Sequence, residues 1–267
     1  MNHLRLSLVV LLTFFAGVTS ARADEPAKPR LRVMTYNIHH GEGTDKKLDL
    51  PRIARIITDA KADLVALQEV DNKTKRTNSV DQTAEFAKLT GMHGVFGKAM
   101  DYGGGEYGEA ILSRFAIVEH KTHALPFTQG REPRAALEVI VRPPNLPAIT
   151  FVGTHLDHFK DETDRLAQTK ELDRLFLFKD APVTLITGDF NARPESRAMQ
   201  TVLEFWNDTA ADNPQPTIPS DKPHSRIDWI FTLKGHGWRV ISSQVLEEKV
   251  ASDHRPVLVE LEWVGKK

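Results

Sequence analysis

There is no cysteine among the 267 residues. Disulfides, thiolate metal sites, cysteine nucleophiles and lipid attachment through a thiol are therefore excluded. A dominant charge is also missing, since 35 lysines and arginines stand against 36 aspartates and glutamates. That balance provides no broad attraction to nucleic acid or to an anionic membrane, but leaves room for a small basic pocket. No serine nucleophile elbow, Walker glycine loop or H-E-x-x-H motif occurs, so those mechanisms have no support. The apolar run Leu6–Val18 is too short for a comfortable membrane span. It follows the basic Arg5 and precedes Ala21-Arg22-Ala23, a small-residue cleavage pattern.

Residues 1–23 accordingly read as a secretory signal peptide, and residues 24–30 as a mobile leader. The mature chain is expected to start at Asp24 and to be secreted or periplasmic, with no transmembrane anchor after cleavage. Losing Arg5 and Arg22 leaves 33 basic against 36 acidic residues. An exported chain without disulfides must draw its stability from its core, and residues 31–267 suffice for one domain with a sizeable core.

What the sequence does have is a set of apolar runs that end in polar groups. In Pro182–Ala192 a β-branched stretch stops at Gly188 and then presents Asp189 and Asn191. Extended residues two apart share one side of the backbone, so this pair either faces a common cleft or forms an Asx-type turn. Gly188, without a Cβ, reads as room for a ligand or metal to approach the backbone. Strands predicted at Leu31–Ile38, Asp63–Val70, Ala148–His155, Arg226–Phe231 and Val257–Trp263 place Asn37, Glu69, His155 and the pair Asp253-His254 at or beside their ends. Further strands are expected at Gly94–Met100, Ala110–Ser113, Ile117–Leu125, Arg134–Arg142 and Trp238–Leu246.

Asp49 caps an expected helix that has Pro51 in its first turn and Ile53, Ile56, Ile57 and Ala60 on one face. Other helices are expected over Val80–Thr90, stopped by Gly91, over Asp161–Lys179 and over Pro194–Trp206. Asp101–Gly108 reads as a glycine-rich loop and Asn213–Pro223 as a proline-rich one. Early alternation of strands and helices, then consecutive strands, predicts two packed sheets with helices outside. Oxygen donors and histidines at one shared edge suit Mg²⁺, with Mn²⁺ or Ca²⁺ as alternatives, and phosphate chemistry.

Six blocks carry a resemblance: Tyr36-Asn37-Ile38, Leu67-Gln68-Glu69-Val70, Gly153-Thr154-His155-Leu156, Gly188-Asp189-Phe190-Asn191-Ala192, Arg226-Ile227-Asp228 and Ser252-Asp253-His254-Arg255-Pro256. In that order they resemble the endonuclease/exonuclease/phosphatase family, whose superfamily includes pancreatic-type deoxyribonuclease. The resemblance spans roughly Leu31–Trp263 and implies an α/β fold, a four-layer αββα sandwich with the site at the sheets' shared edge. It implies Glu69 as the main metal carboxylate, assisted by Asn37 and Asp253. It further implies Asp189 positioning the attacking water, Asn191 at the transition-state oxygens, and His254 on the phosphate with its ring oriented by Asp228. His155 matches a second histidine of the deoxyribonuclease-like branch, a candidate general acid.

Several residues fall outside that pattern. His39 is a candidate phosphate contact, a metal ligand or a solvated side chain. Glu109 would either add metal affinity or repel phosphate. Arg131 and Arg134 are candidate phosphate contacts, because arginine grips phosphate bidentately, with exposed loop charge as the alternative. Lys73, Lys75 and Arg76 read as a solvated loop. His93, His120, His123 and His158 read as structural or exposed, and Tyr36 as core. Asp157 is either a cap or catalytic, and Trp229 either packs beneath the site or stacks on a base.

The expected function is metal-dependent phosphoester hydrolysis of the phosphodiesterase or nuclease kind. Phosphomonoesterase and sphingomyelinase-like lipid phosphodiesterase are the alternatives, and a non-catalytic binding module is the reading from another class. The expected partner is a phosphoester (nucleic acid, nucleotide, phospholipid or phosphosugar), with no stable protein partner implied. No exposed aromatic hairpin for membrane contact is evident in the sequence.

Overall fold

The computed structural model describes residues 28–177 and 183–265. The expected signal peptide, most of the expected leader, Pro182 and the end of the helix expected to reach Lys179 lie outside the described residues. The strands in chain order are β1 (Arg30–Asn37), β2 (Leu64–Asn72), β3 (His93–Tyr102), β4 (Gly105–Ser113), β5 (Ile117–Ala124) and β6 (Ala135–Val141). They continue as β7 (Ile149–His155), β8 (Val183–Asp189), β9 (Trp206–Asp208), β10 (Asp228–Leu233), β11 (Trp238–Val245) and β12 (Val257–Trp263). The helices are α1 (Leu50–Asp59), α2 (Gln82–Thr90), α3 (Thr163–Phe176) and α4 (Arg197–Phe205).

Two six-stranded sheets result, ordered β11-β12-β1-β2-β4-β3 and β5-β6-β7-β8-β10-β9. Period-two alternation explains why both faces of each are apolar. Val33, Leu64, Ala66 and Ile111 of the first sheet meet Leu137, Phe151 and Leu185 of the second in the inter-sheet core. Their sequence neighbours Met34, Tyr36, Val65 and Leu67 turn to the other face, against Ile53 and Ile57 of α1 and Phe86 of α2. Val152, Ile186 and Phe231 likewise pack on Leu172 and Phe176 of α3 and Met199 and Val202 of α4. This is the expected αββα sandwich. Each fully buried Val, Leu or Ile contributes about 1.5–3 kcal/mol, so three continuous cores replace disulfides as the source of stability.

Each sheet carries one parallel pair at its centre, β1 with β2 and β7 with β8; the other pairings are antiparallel. The parallel pairs bring Asn37 level with Gln68, and His155 level with Asp189. Because β10 runs antiparallel to β8, its first residue, Asp228, lies opposite Asp189. β12 is antiparallel to β1, so the segment leading into it arrives at the carboxyl end of β1.

Local signals place most helix ends. Asp49 accepts from the Arg52 N–H at 2.9 Å, Asp81 from Ala84 at 2.9 Å, and Gly91 ends α2 in the left-handed conformation. α4 starts later than its proline suggests, because Ser196 is the cap and accepts from Met199 at 3.2 Å. The stretch Asp101–Gly108 is not a loop. It is the tip of the β3–β4 hairpin, turned at Gly103 and Gly104 with φ of 56° and 83°. β9, three residues long, is too short to show a period and was not anticipated. Among the described residues, no helix is long and apolar enough to cross a membrane.

Candidate active site

At the carboxyl ends of the two parallel pairs a cleft of about 350 Å³ opens. Glu69, His155, Asp189, Asn191 and His254 line it, together with Arg134 and Glu132. Arg76, Met100, Tyr102, Tyr107 and His158 complete the lining.

Asn37 ties the two sheets together. Its Nδ2 donates to Glu69 Oε1 at 3.0 Å and to Asp189 Oδ2 at 3.1 Å, while its Oδ1 accepts from the His39 N–H at 3.1 Å. Glu69 reaches this position through a bulge. The β2–β4 register slips between Leu67 and Val70, and Glu69 has φ of +61°. One extra residue re-aims a side chain that plain alternation would place elsewhere.

Asp189 lies 3.5 Å from His155 Nε2 and 3.7 Å from His254 Nε2. On the far side of the His254 ring, Nδ1 meets Asp228 Oδ2 at 2.9 Å and Oδ1 at 3.2 Å. The Asn191 N–H donates to Asp189 Oδ1 at 2.8 Å, so the pair forms an Asx turn and shares the cleft as well. The Asn191 carboxamide donates to Leu156 O at 3.0 Å, which fixes its NH₂ end; its 2.9 Å contact to His155 Nε2 is therefore also donated. His155 Nε2 accepts, and the ring proton belongs on Nδ1.

The environment drives these groups apart. Burial, reinforced by Asp228, pushes Asp189 up to about 7 against the pull of His254, Asn191 and Asn37. Burial works against a charged His254, but Asp228 and Asp189 outweigh it and push the ring up to about 10. His155 is driven well below the usual histidine range by burial, then by Arg134 and His254. At neutral pH His254 holds a second proton and His155 does not. The expectation of His155 as general acid thus meets a ring whose cleft-side nitrogen has no proton to give.

Arg134 is 3% exposed, with Nη1 3.1 Å from Glu132 and Nη2 3.1 Å from His158 Nδ1. Its Nε is buried without a partner, so it keeps donor capacity for a ligand. Arg131 does not line the cleft. Its guanidinium lies 3.3 Å from Asp157, 2.5 Å from Asp161 and 3.5 Å from Asp164, and covers the Phe159 ring, which leaves it committed away from a phosphate. His39 is absent from the cleft wall as well, because its Nδ1 bonds Glu42 O at 3.0 Å. The Asp253 carboxylate accepts from Ser252 Oγ at 3.3 Å and does not line the cleft. Ser252 Oγ also bonds Asn37 O at 2.8 Å, so this segment braces the carboxyl end of β1.

Glu109 is fully buried behind the cleft, and burial raises its pKa well above the carboxylate range despite Arg134. Asp157 is a cap, accepting from the Phe159 N–H at 3.1 Å. Trp229 is packed, with Nε1 bonded to Ala192 O at 3.1 Å and its ring stacked on Phe231. Gly188 serves neighbour packing and not ligand approach, since a Cβ there would lie 1.9 Å from Thr154 O.

Sequence reasoning missed Arg76, Tyr102, Tyr107 and His158. Arg76 is not simply solvated. It grips the buried Asp71 bidentately at 2.7 and 2.8 Å and lies over Tyr102, 4.5 Å from the ring centre. Tyr102 makes the β3–β4 tip a hairpin with an exposed aromatic beside the cleft, contrary to expectation. Two tyrosines, Tyr102 and Tyr107, bracketing the triple glycine Gly103-Gly104-Gly105 were the available signal.

Among the described residues, two groups of side chains can each bring ligand atoms within 4.8 Å of one another: Asp189–Asp228–His254, and His39–His40–Glu69. The first is already joined by its own hydrogen bonds.

The similarities to known proteins agree with this architecture. YbhP of Escherichia coli (strain K12) is 26% identical over 252 residues, spanning 89% of this chain and 98% of YbhP. An endonuclease/exonuclease/phosphatase from Beutenbergia cavernae superposes with a TM-score of 0.73 at 25% identity, covering 89% of this chain and 72% of that one. The mannosyl-6-phosphatase Bt3783 of Bacteroides thetaiotaomicron superposes at 0.70 with 21% identity, covering 87% and 100%, a likeness of fold. The sequence pattern of one family matches residues 34–254, which run from the first strand to the histidine held by Asp228. The chain belongs to the endonuclease/exonuclease/phosphatase family.

Proposed function

We propose that this chain hydrolyses phosphoester bonds with a divalent cation held by Glu69 and Asn37. The observation that carries the reading is the run Asp228–His254–Asp189, which ends in the same cleft as Glu69 and the buried Arg134. The donor set fits a hard cation. A carboxylate and a carboxamide offer oxygen ligands, and only Oε1 of Glu69 is engaged by Asn37. Bound there, Mg²⁺ or Mn²⁺ would polarise the phosphoryl oxygen and stabilise the leaving oxygen.

The rest is the work of the side chains. Asp189, raised to about 7, is matched to accept a proton from the attacking water near neutral pH. His254 carries its proton at Nε2 and can neutralise charge on the phosphoryl group or protonate the leaving oxygen. His155 and Leu156 O hold the Asn191 carboxamide in place. Arg134 supplies a buried positive charge for the phosphate.

The cleft is of a size for one small phosphorylated group. With the near-zero net charge, this favours nucleotides, sugar phosphates or lipid head groups over the interior of a nucleic-acid duplex. The test is hydrolysis of bis-p-nitrophenyl phosphate with Mg²⁺ or Mn²⁺, before and after chelation. Turnover that chelation abolishes and Asp189→Asn removes is expected. No turnover with any metal would favour a non-catalytic binding module. Plasmid nicking, phosphate release from sugar phosphates and cleavage of choline-phosphate lipids then sort the substrates. Export is part of the proposal, on the strength of residues 1–23, and is checked by N-terminal sequencing of protein recovered outside the cytoplasm, expected to begin at Asp24.

A further inference from the structure

We propose that His39 and His40 join Glu69 in a nitrogen-rich cation site, which shifts this enzyme's metal preference from Mg²⁺ towards Zn²⁺ and Co²⁺. The inference rests on Glu69 being the metal carboxylate of the reading above and adds two ligands to it.

Four observations converge. One ligand atom from each of the three residues lies within 4.8 Å of the other two, close enough to share one ion. His39 Nδ1 faces the carbonyl of Glu42 at 3.0 Å. A carbonyl only accepts, so Nδ1 carries the proton and the lone pair is left on Nε2, the tautomer of a metal-binding histidine with a backbone partner. His40 Nδ1 is buried without a hydrogen-bond partner, a polar atom still lacking what it was desolvated for. Finally, His39 and His40 both have φ of +46° and Glu69 has +61°. Three non-glycine residues in the left-handed region, two of them consecutive, is a costly arrangement that clusters where function requires it.

The backbone holds that arrangement from several sides. Gln82 Nε2 donates to His40 O at 2.7 Å, the Ile38 N–H to Gln68 O at 3.1 Å, and the Asn37 side chain accepts from His39 N–H at 3.1 Å. A stacking pair alone would not need this bracing, and the two rings are tilted at 59° with centres 4.5 Å apart. Imidazole suits Zn²⁺ and Co²⁺, whereas Mg²⁺ takes oxygen ligands and gains little from it.

Any oxygen site also binds Zn²⁺ more tightly than Mg²⁺, so the readout is the change in selectivity. The mature chain, stripped with chelator, is titrated calorimetrically with ZnCl₂, CoCl₂ and MgCl₂, and the visible spectrum of bound Co²⁺ reports nitrogen ligation. His39→Asn and His40→Asn are the variants of choice, because asparagine tolerates the left-handed backbone that alanine would strain; melting curves verify their folding. At least a tenfold drop in the Zn²⁺-over-Mg²⁺ affinity ratio, with a changed Co²⁺ spectrum, is expected for each. An unchanged ratio and spectrum in both folded variants overturns the proposal. Hydrolysis with Mg²⁺ alongside such an unchanged ratio would sink the histidine ligands and leave the hydrolase standing. Histidine-dependent Zn²⁺ binding without turnover under any metal would do the reverse.

Discussion

Replacing Asp228 with asparagine tests the site most sharply, because one carboxylate sets two neighbours at once. It touches His254 Nδ1 through both oxygens, at 2.9 and 3.2 Å, and its charge also helps raise Asp189. An amide oxygen there still accepts from Nδ1 but carries no charge; losing the charge assistance, about 1–2 kcal/mol, lowers kcat by roughly 5- to 30-fold. The pH profile is the stricter readout. In the wild type, Asp189 must lose its proton and His254 must keep its own, which gives a bell with limbs near 7 and 10. Without the Asp228 charge, Asp189 ionises more readily and its limb moves to lower pH. His254 loses the anion that outweighed burial, so the alkaline limb moves down too, by roughly one to three pH units. The whole bell therefore slides towards acid and does not narrow from both sides. Initial rates on bis-p-nitrophenyl phosphate from pH 5 to 11, with melting curves for folding, measure this. A wild-type kcat in the folded variant, or limbs that move in opposite directions, would refute the assignment.

Three further outcomes are expected. Arg76→Ala leaves the buried Asp71 without its bidentate partner and removes a cleft wall, so urea denaturation should show a loss of about 1.5–3 kcal/mol and KM should rise more than kcat falls. Gly188→Ala forces a methyl to within 1.9 Å of Thr154 O and must part β7 from β8; about 3 kcal/mol or more of destabilisation is expected in the same assay. Asp189→Asn should abolish turnover yet raise Tm at pH 8 more than at pH 5. The folded carboxyl titrates near 7, above its unfolded value, so the fold loses stability as pH rises towards 7, and an amide does not ionise.

Much of this molecule was legible before its coordinates. The layers followed from apolar runs whose alternate residues serve two cores, and the site from polar residues that finish those runs. Asn37, Glu69, His155, Asp189, Asn191, Asp228 and His254 meet because parallel and antiparallel neighbours present opposite ends at one edge. Other features depended on contacts that no local pattern encodes. Arg76 lies among Lys73 and Lys75 in a stretch that reads as solvent-exposed, and only the long-range return of the β3–β4 hairpin puts Tyr102 beneath it. Arg131 and Arg134 differ by three positions, but α3 brings Asp164 to the first while the second points into the cleft. The bulge at Glu69 is likewise invisible in a continuous apolar run.

His155 and His254 show most clearly what packing adds to residue type. Both lie within 4 Å of the same Asp189 oxygen, and both are buried. One has Asp228 behind it and gains a proton; the other has Arg134 nearby and an amide donating to its ring, and stays neutral. The sequence offers two histidines of equal chemistry, while the fold makes one a proton carrier and the other a fixed acceptor. That division follows from which neighbour lies beside each ring: Asp228 at the start of β10 for His254, and Arg134 just before β6 for His155. The contacts of Asn37, to Glu69 on its own sheet and to Asp189 on the other, hold the two halves of the cleft in register. Catalytic geometry in this chain is therefore a property of how the two sheets are stacked, and variants that shift the inter-sheet core should alter turnover without touching the cleft.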